Sequence, residues 1–287
     1  MRVFLTGATG YIGSELAAAL RERRHDVGAL VRPESDSHAL RDAGVVIVAG
    51  DMASLPALGD TLAGYDVFVH AAQSNTPADA EQVRGSIEAF AAQRGFLIYT
   101  SGVWVLGNTV GVADESTPVN PLSIVTWRAG IERQVLAAGG AVIRPGCVYG
   151  GKQSLLAGWF AATERKEPIS IVGDGENHWA FVDLHDLVDL YLRAVEQRVA
   201  GVFHGVDDTH TALNDCAAAI APDAAIEHVP AEVARQSMGP FVDALIVDQH
   251  VSSAATRQRL GWAPQRDFLG SVQEQWREWR SALQKTE

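Results

Sequence analysis

The residues best suited to chemistry come at the very start of the chain. Gly7, Gly10 and Gly13 recur in Thr6-Gly7-Ala8-Thr9-Gly10-Tyr11-Ile12-Gly13. A short apolar run, Val3-Phe4-Leu5, precedes them, and a helical pattern from Ser14 to Arg24 follows. Strand, glycine-rich turn and helix together form a cradle for a dinucleotide pyrophosphate. Gly7 lets the chain turn off the strand. Gly10 removes a side chain where phosphates must approach the backbone, and Gly13 lets the helix press on the sheet. The unpaired N–H groups and positive end of that helix face the phosphate charge. Further along, Arg32, Asp51, Thr100, Ser101, Tyr149 and His178 carry groups able to hold an anion, donate a hydrogen bond or move a proton.

Those groups need elements to position them. Apolar runs at Asp26–Val31, Val45–Ala49, Val67–Val69, Phe96–Tyr99 and Ala141–Arg144 read as strands. Helical patterns separate them at Ser37–Ala43, Ser54–Leu62, Ala78–Arg94 and Leu122–Ala138. Unbroken apolar strands alternating with helices imply a parallel sheet covered on both faces, and so an α/β doubly wound, Rossmann-like fold. Ligands in such a sheet sit beyond the carboxyl ends of the strands, which is where the chemical residues cluster. Residues 1–150 are expected to form the dinucleotide-binding domain, with 181–205 returning to it. Residues 151–287 are expected to form a smaller substrate lobe. Phe268, Leu269, Val272, Trp276, Trp279 and Leu283 recur at helical spacing and predict a last helix docked by its apolar face.

Composition narrows the classes of function. Of 287 residues 47% are hydrophobic, enough for a sizeable core, yet no run approaches the roughly 18 apolar residues of a membrane span. The chain enters a strand at once, leaving no room for a signal peptide. Cys147 and Cys216 make neither a disulfide framework nor a zinc knuckle, so a reducing cytoplasm is expected. A formal charge of −12 argues against non-specific nucleic-acid binding. The histidines show no metal spacing, and no metal is expected.

The end of the second strand selects the cofactor. An NAD enzyme usually places an acid there for the ribose 2′-hydroxyl. Here Val31 is followed by Arg32, while Asp26 lies at the other end of the strand. An arginine can make paired, charge-assisted bonds to a 2′-phosphate, so NADP is favoured over NAD. Asp51, after the third strand, is placed to bond the adenine amino group or to start the next turn.

Taken in order, several stretches resemble the extended branch of the short-chain dehydrogenase/reductase superfamily, the epimerase/dehydratase-like group. They are Thr6 to Gly13, Gly50-Asp51-Met52, His70-Ala71-Ala72, Tyr99-Thr100-Ser101-Gly102, Ile143 to Gly150, Gly173 to Glu176, Val182 to Asp186 and Leu260 to Pro264. The resemblance implies that Gly7, Thr9, Gly10, Tyr11, Ile12, Gly13, Arg32, Asp51, Met52, Ala71, Ala72, Thr100, Arg128 and Pro145 bind the cofactor. It implies substrate contacts for Gly102, Trp104, Ile124, Trp127, His178 and Trp179. Together with Trp159, the tryptophans suit an apolar or aromatic ligand. It also implies a homodimer paired through the helices at Ala78–Arg94 and Leu122–Ala138.

The family's chemistry rests on a Ser or Thr, a Tyr, and a Lys one helical turn after the Tyr. Glu132 sets the register of that helix, and the three positions are then Gly102, Ile124 and Arg128. Isoleucine has no proton to give. Arg128 can still bond a ribose but stays protonated. Ser101, Thr100 and Tyr149 are the nearest alternative hydroxyls, with Arg128, Ser101 and Tyr149 the catalytic candidates. Trp179 falls where sugar-nucleotide enzymes of this group often carry arginine, which speaks against a nucleotide-sugar substrate. The sequence therefore supports an NADP-dependent oxidoreductase with an atypical proton donor, acting on a small carbonyl-like molecule. Against it stands a cofactor-binding sensor without turnover, and behind both an epimerase or dehydratase.

Overall fold

The computed structural model describes residues 1–74, 76, 78–151 and 153–284. The first half alternates as its apolar runs require. Its elements are β1 (Arg2–Thr6), α1 (Tyr11–Glu22), β2 (Asp26–Val31), α2 (His38–Asp42), β3 (Val46–Ala49), α3 (Gly59–Leu62), β4 (Val67–His70), α4 (Asp79–Ala91), β5 (Phe96–Thr100), α5 (Arg128–Ala137) and β6 (Ala141–Pro145). The second half adds β7 (Cys147–Tyr149), α6 (Ala157–Glu164), β8 (Ile169–Val172), β9 (His178–Asp183), α7 (Leu184–Gln197), β10 (Gly201–Gly205), β11 (His210–Ala212), α8 (Leu213–Ile220) and β12 (Ile226–Val229). Four helices close the chain: α9 (Ala231–Met238), α10 (Val242–Leu245), α11 (Ala254–Leu260) and α12 (Phe268–Gln284).

Seven strands form one sheet in the order β10-β6-β5-β4-β1-β2-β3. The pairs β1–β2, β2–β3, β1–β4, β4–β5 and β5–β6 are parallel. The order reverses between β1 and β4, so the crevice for a ligand opens beyond Thr6 and His70. This is the doubly wound, Rossmann-like α/β fold expected from the sequence.

The chain divides into two compact units, and the division differs from a cut at residue 150. The first unit holds residues 1–101, 127–144 and 188–203; the second holds 102–126, 145–187 and 204–287. The segment that returns to the first unit is thus shorter than 181–205. Strand β9 instead lies between β11 and β7 in a three-stranded sheet of the second unit, whose other sheet pairs β8 with β12. The helix expected from Leu122 also breaks at the boundary between units. A 3-10 turn covers Ser123–Val125, and α5 starts only at Arg128. Ile124, Val125, Thr126 and Trp127 are β-branched or aromatic, which weakens helix propensity across the join.

Each unit has its own core. In the first, Phe4, Phe68, Phe90, Tyr99 and Ile131 pack together, with Phe68 and Phe90 stacked at 4.9 Å. In the second, Tyr149, Phe160, Phe181, Phe268, Val272 and Trp279 meet. The apolar face of α12 docks there as its spacing demands, although Leu269 and Leu283 stay exposed.

Candidate cofactor and substrate sites

The turn after β1 is shaped by contacts that forbid side chains. Gly7 has φ +81°, and a Cβ there would lie 2.6 Å from the Ala71 carbonyl oxygen in the loop after β4. A Cβ on Gly13 would stand 2.1 Å from the Gly7 carbonyl oxygen. Gly10 differs: its Cβ would meet only that oxygen, at 3.2 Å, and the residue is exposed. Gly10 opens α1 with no side-chain cap, and the first turn carries no acid. The helix start therefore presents N–H groups to an incoming anion with no built-in competitor. Thr9 is exposed beside it, and Tyr11 and Ile12 are half-buried. Thr6 Oγ1 and His70 Nδ1 are hydrogen-bonded at 2.9 Å, tying together the ends of β1 and β4.

Two residues flank the expected adenosine end. Arg32 is exposed just past β2 and lies 3.5 Å from the Glu34 carboxylate, a contact that water screens. Asp51 is engaged in a turn, accepting from Ser54 N at 2.8 Å, and this bond holds its carboxyl below the ordinary range. The turn-forming reading of Asp51 is thus realised. Met52 buries its side chain against Leu30 and Leu55, so only its backbone is left for a ligand.

Arg128 occupies the carboxyl ends of β4 and β5. Its Nη2 donates to Gln73 Oε1 at 2.7 Å and its Nη1 to the Thr100 carbonyl at 3.4 Å. The guanidinium carbon lies 5.1 Å from the Trp127 ring centroid. Its Nε is buried without a partner among the described residues, as are His70 Nε2 and the Tyr99 hydroxyl. Burial, with the Arg128 charge, pulls the His70 pKa down to about 3, so this ring is neutral. These unpaired interior atoms lie near the Arg128 cation, with half-buried Ala71 and Ala72 next in the chain after His70.

The hydroxyl candidates fare differently from the sequence expectation. Ser101 is buried and donates to Glu132 Oε1 at 2.5 Å. The same carboxylate receives Arg144 Nε at 3.0 Å and Nη2 at 2.6 Å. Ser101 is therefore held in a buried ion-pair network at the end of β5. Thr100 Oγ1 is paired with the Tyr191 hydroxyl at 2.6 Å. Tyr149 is fully buried with its ring edge-on to Phe268, and burial raises its pKa above the ordinary tyrosine value. The ring so placed packs in the core of the second unit.

Residues expected to touch substrate fall in both units. In the second, Trp104 and Trp179 line a narrow apolar cleft with Val103, Cys147 and Leu155. Trp179 is nearly buried, with its Nε1 lacking a partner among the described residues, and Trp104 is half-buried against Phe241. Apolar surroundings push the Cys147 thiol up to about 12, which removes it as a nucleophile. Gly102 is extended, with φ 174°, Pro145 is buried, and Ile124 is half-buried. Trp159 packs partly buried on the second core. His178 pairs with Asp248 through Nδ1 at 3.0 Å, so it is more than a loop histidine. Sequence reading placed Gln73 among the ligand-side residues beyond the fourth strand without giving it a role, and it missed Tyr191 and the Glu132–Arg144 pair. Gln73 is the first polar side chain after β4.

A Rossmann sheet with an open helix terminus at its switch point defines a dinucleotide-binding protein. A family profile described as NAD(P)H-binding matches residues 7–111. A Schizosaccharomyces pombe protein, uncharacterised itself, is 30% identical over 285 residues, covering 94% of this chain and 97% of its own. A 3-diazoavenalumate denitrifying reductase of a Streptomyces species is 28% identical over 306 residues, covering 94% and 99%. The solved dTDP-glucose 4,6-dehydratase of Bacillus anthracis superposes with a TM-score of 0.83 at 15% identity, covering 99% and 98%. The chain belongs to the extended short-chain dehydrogenase/reductase superfamily, with reductases among its relatives. No described helix is long and apolar enough to cross a membrane.

Proposed function

We propose that the protein is an NADP-dependent reductase delivering hydride to a small apolar or aromatic acceptor. The observation that carries this reading is Arg128. It is a cation fixed by Gln73 and Thr100, standing where the family's lysine is expected, with a buried nitrogen still unpaired. The bound dinucleotide supplies the hydride. The start of α1 holds the pyrophosphate, Arg32 the 2′-phosphate, and Arg128 the ribose.

The acceptor follows from proton accounting. Ile124 has no proton to give, Ser101 is held by Glu132, and Tyr149 is buried. Hydride added to a ketone leaves an alkoxide that a donor must protonate. Hydride added to an iminium ion leaves a neutral amine, and hydride added to an aryl diazonium leaves an arene and N₂. Neither needs a side-chain acid. The printed name of the Streptomyces relative, a denitrifying reductase of a diazo compound, is in keeping with this class.

The test is NADPH oxidation against ketones, enones, cyclic iminium ions and aryl diazonium ions. Turnover is expected on the last two classes and little on simple ketones. Cofactor binding with no turnover on any class would favour the second reading, a cofactor-binding sensor. A cytoplasmic homodimer paired through α4 and α5 is part of the proposal. A monomer mass by light scattering at micromolar concentration would remove it.

A further inference from the structure

The first residue of β9 and the stretch after α10 bring imidazoles and a carboxylate together within the second unit. His178 N donates to Asp248 Oδ1 at 2.8 Å, and His178 Nδ1 lies 3.0 Å from the same oxygen. His250 Nε2 stands 3.8 Å from it. The His178 and His250 rings are 4.5 Å apart between centroids. One ligand atom from each of His178, Asp248 and His250 lies within 4.8 Å of the other two, and all three residues are half-buried. The geometry points to a binding site for a divalent first-row transition cation, foremost Zn²⁺, held by His178, Asp248 and His250.

Three arguments support it. The donor set of two imidazoles and one carboxylate suits Zn²⁺ and its neighbours and is poor for Ca²⁺ or Mg²⁺. The distances from the two imidazole nitrogens to the carboxylate oxygen suit it: two bonds of about 2.1 Å at a tetrahedral angle put their donors about 3.4 Å apart. The observed 3.0 and 3.8 Å bracket that value. The site is also rigid, because its backbone is tied on every side. Asp248 N donates to Asn108 Oδ1 at 2.8 Å, and His250 N to Thr109 Oγ1 at 2.9 Å. Between them Gln249 N donates to the His178 carbonyl at 2.9 Å, joining the two ligand-bearing segments. Buried Gln249 also donates through Nε2 to the carbonyls of Val103 and Gly107, at 2.8 and 2.9 Å. Ligands fixed by their surroundings lose little freedom on binding.

A third imidazole is a neighbour and not a ligand. The His210 ring centroid lies 4.8 Å from that of His250, but His210 Nε2 points at the Val251 carbonyl at 3.3 Å. The bound cation would pin the start of β9 to residues 248–250 and so raise the stability of this unit. Sequence spacing gave no sign of it, because His178 precedes Asp248 by 70 residues and only the fold joins them.

The test uses untagged, chelator-treated full-length protein. Zn²⁺ is titrated by calorimetry and Co²⁺ by visible absorption, with the melting temperature followed in parallel. One equivalent binding at micromolar concentration or tighter, with Co²⁺ d–d bands and a higher melting temperature, is the expected result. His250→Ala and Asp248→Asn should each weaken Zn²⁺ binding by about tenfold or more, while His210→Ala should not. Asp248→Asn preserves the side-chain shape, so it reads ligation even if His250→Ala folds poorly. Absence of a stoichiometric site, or equal affinity in folded Asp248→Asn and the parent, would leave only an ordinary His–Asp hydrogen bond and overturn the proposal.

Discussion

Replacing Gly10 by alanine separates binding from folding, because this glycine and Gly13 stand in opposite situations. At Gly13 a Cβ would sit 2.1 Å from a backbone oxygen that cannot retreat, so Gly13→Ala should destabilise the protein by several kcal/mol. At Gly10 the added methyl meets only the Gly7 oxygen at 3.2 Å, and the backbone angles, φ −87° and ψ 175°, are ones alanine adopts readily. The stability cost of Gly10→Ala at a helix start is therefore small, about 1 kcal/mol or less. The effect on cofactor is not small. A methyl facing the open helix terminus holds a diphosphate off the N–H groups. Losing one charge-assisted bond costs about 1.5–3 kcal/mol, or roughly tenfold to a hundredfold in affinity. Calorimetry with NADPH, beside a thermal melt of each variant, measures both quantities. If Gly10→Ala binds NADPH as the parent does while remaining folded, the diphosphate does not rest on α1 and the cofactor assignment falls with it.

Four further outcomes are expected. Arg32→Ala should weaken NADPH binding about tenfold and leave NADH unchanged, since Arg32 is exposed and its contact to Glu34 is weak; equal losses for both would refute a 2′-phosphate role. Glu132→Ala leaves the Arg144 charge buried without its bidentate partner, and chemical denaturation should record a loss of about 3–5 kcal/mol. Tyr149→Phe should keep whatever turnover the parent has, and loss of activity in a folded variant would return that phenol to the chemistry. Asp207 is buried and its pKa is raised from 3.8 to about 7, chiefly by burial. Its carboxyl thus binds a proton more tightly folded than unfolded, so its contribution to stability is full below about pH 4 and is lost as pH rises towards 7. Asp207→Asn should flatten that fall, as read from melting temperature against pH.

The parts of this molecule that could be read from its sequence are those fixed by local rules. The seven-stranded sheet follows from apolar runs at Val3–Leu5, Val67–Val69 and Ala141–Arg144, because a strand covered on both faces has no polar side to show. Gly7 and Gly13 were legible because a strand, a tight turn and a helix leave no room for a Cβ. What escaped depends on contacts distant in sequence. The Thr100–Tyr191 bond joins residues 91 positions apart, and no periodicity encodes it. The break at Thr126 escaped for a related reason: Leu122 to Ala138 reads as one helix, yet the chain passes from one compact unit to the other there. Tertiary partition overrode a helical pattern that was weak across Ile124 to Trp127.

The Glu132–Arg144 pair holds the Ser101 hydroxyl in a buried network. A short bond to a buried carboxylate is stronger than one to a neutral partner, and breaking it would leave Glu132 with one bond fewer in the interior. Ser101 sits on the last turn of chain leaving β5, so this bond fixes where the following residues start. Arg128 lies one helical turn before Glu132 and reaches the Thr100 carbonyl from the same helix. Arg128 and Glu132, both on α5, therefore brace adjacent residues, Thr100 and Ser101, from one element. Such bracing sets the position of the Arg128 cation. Under the proposed reductase reading, such a cation would hold a ribose, and acceptors needing hydride alone are the expected substrates.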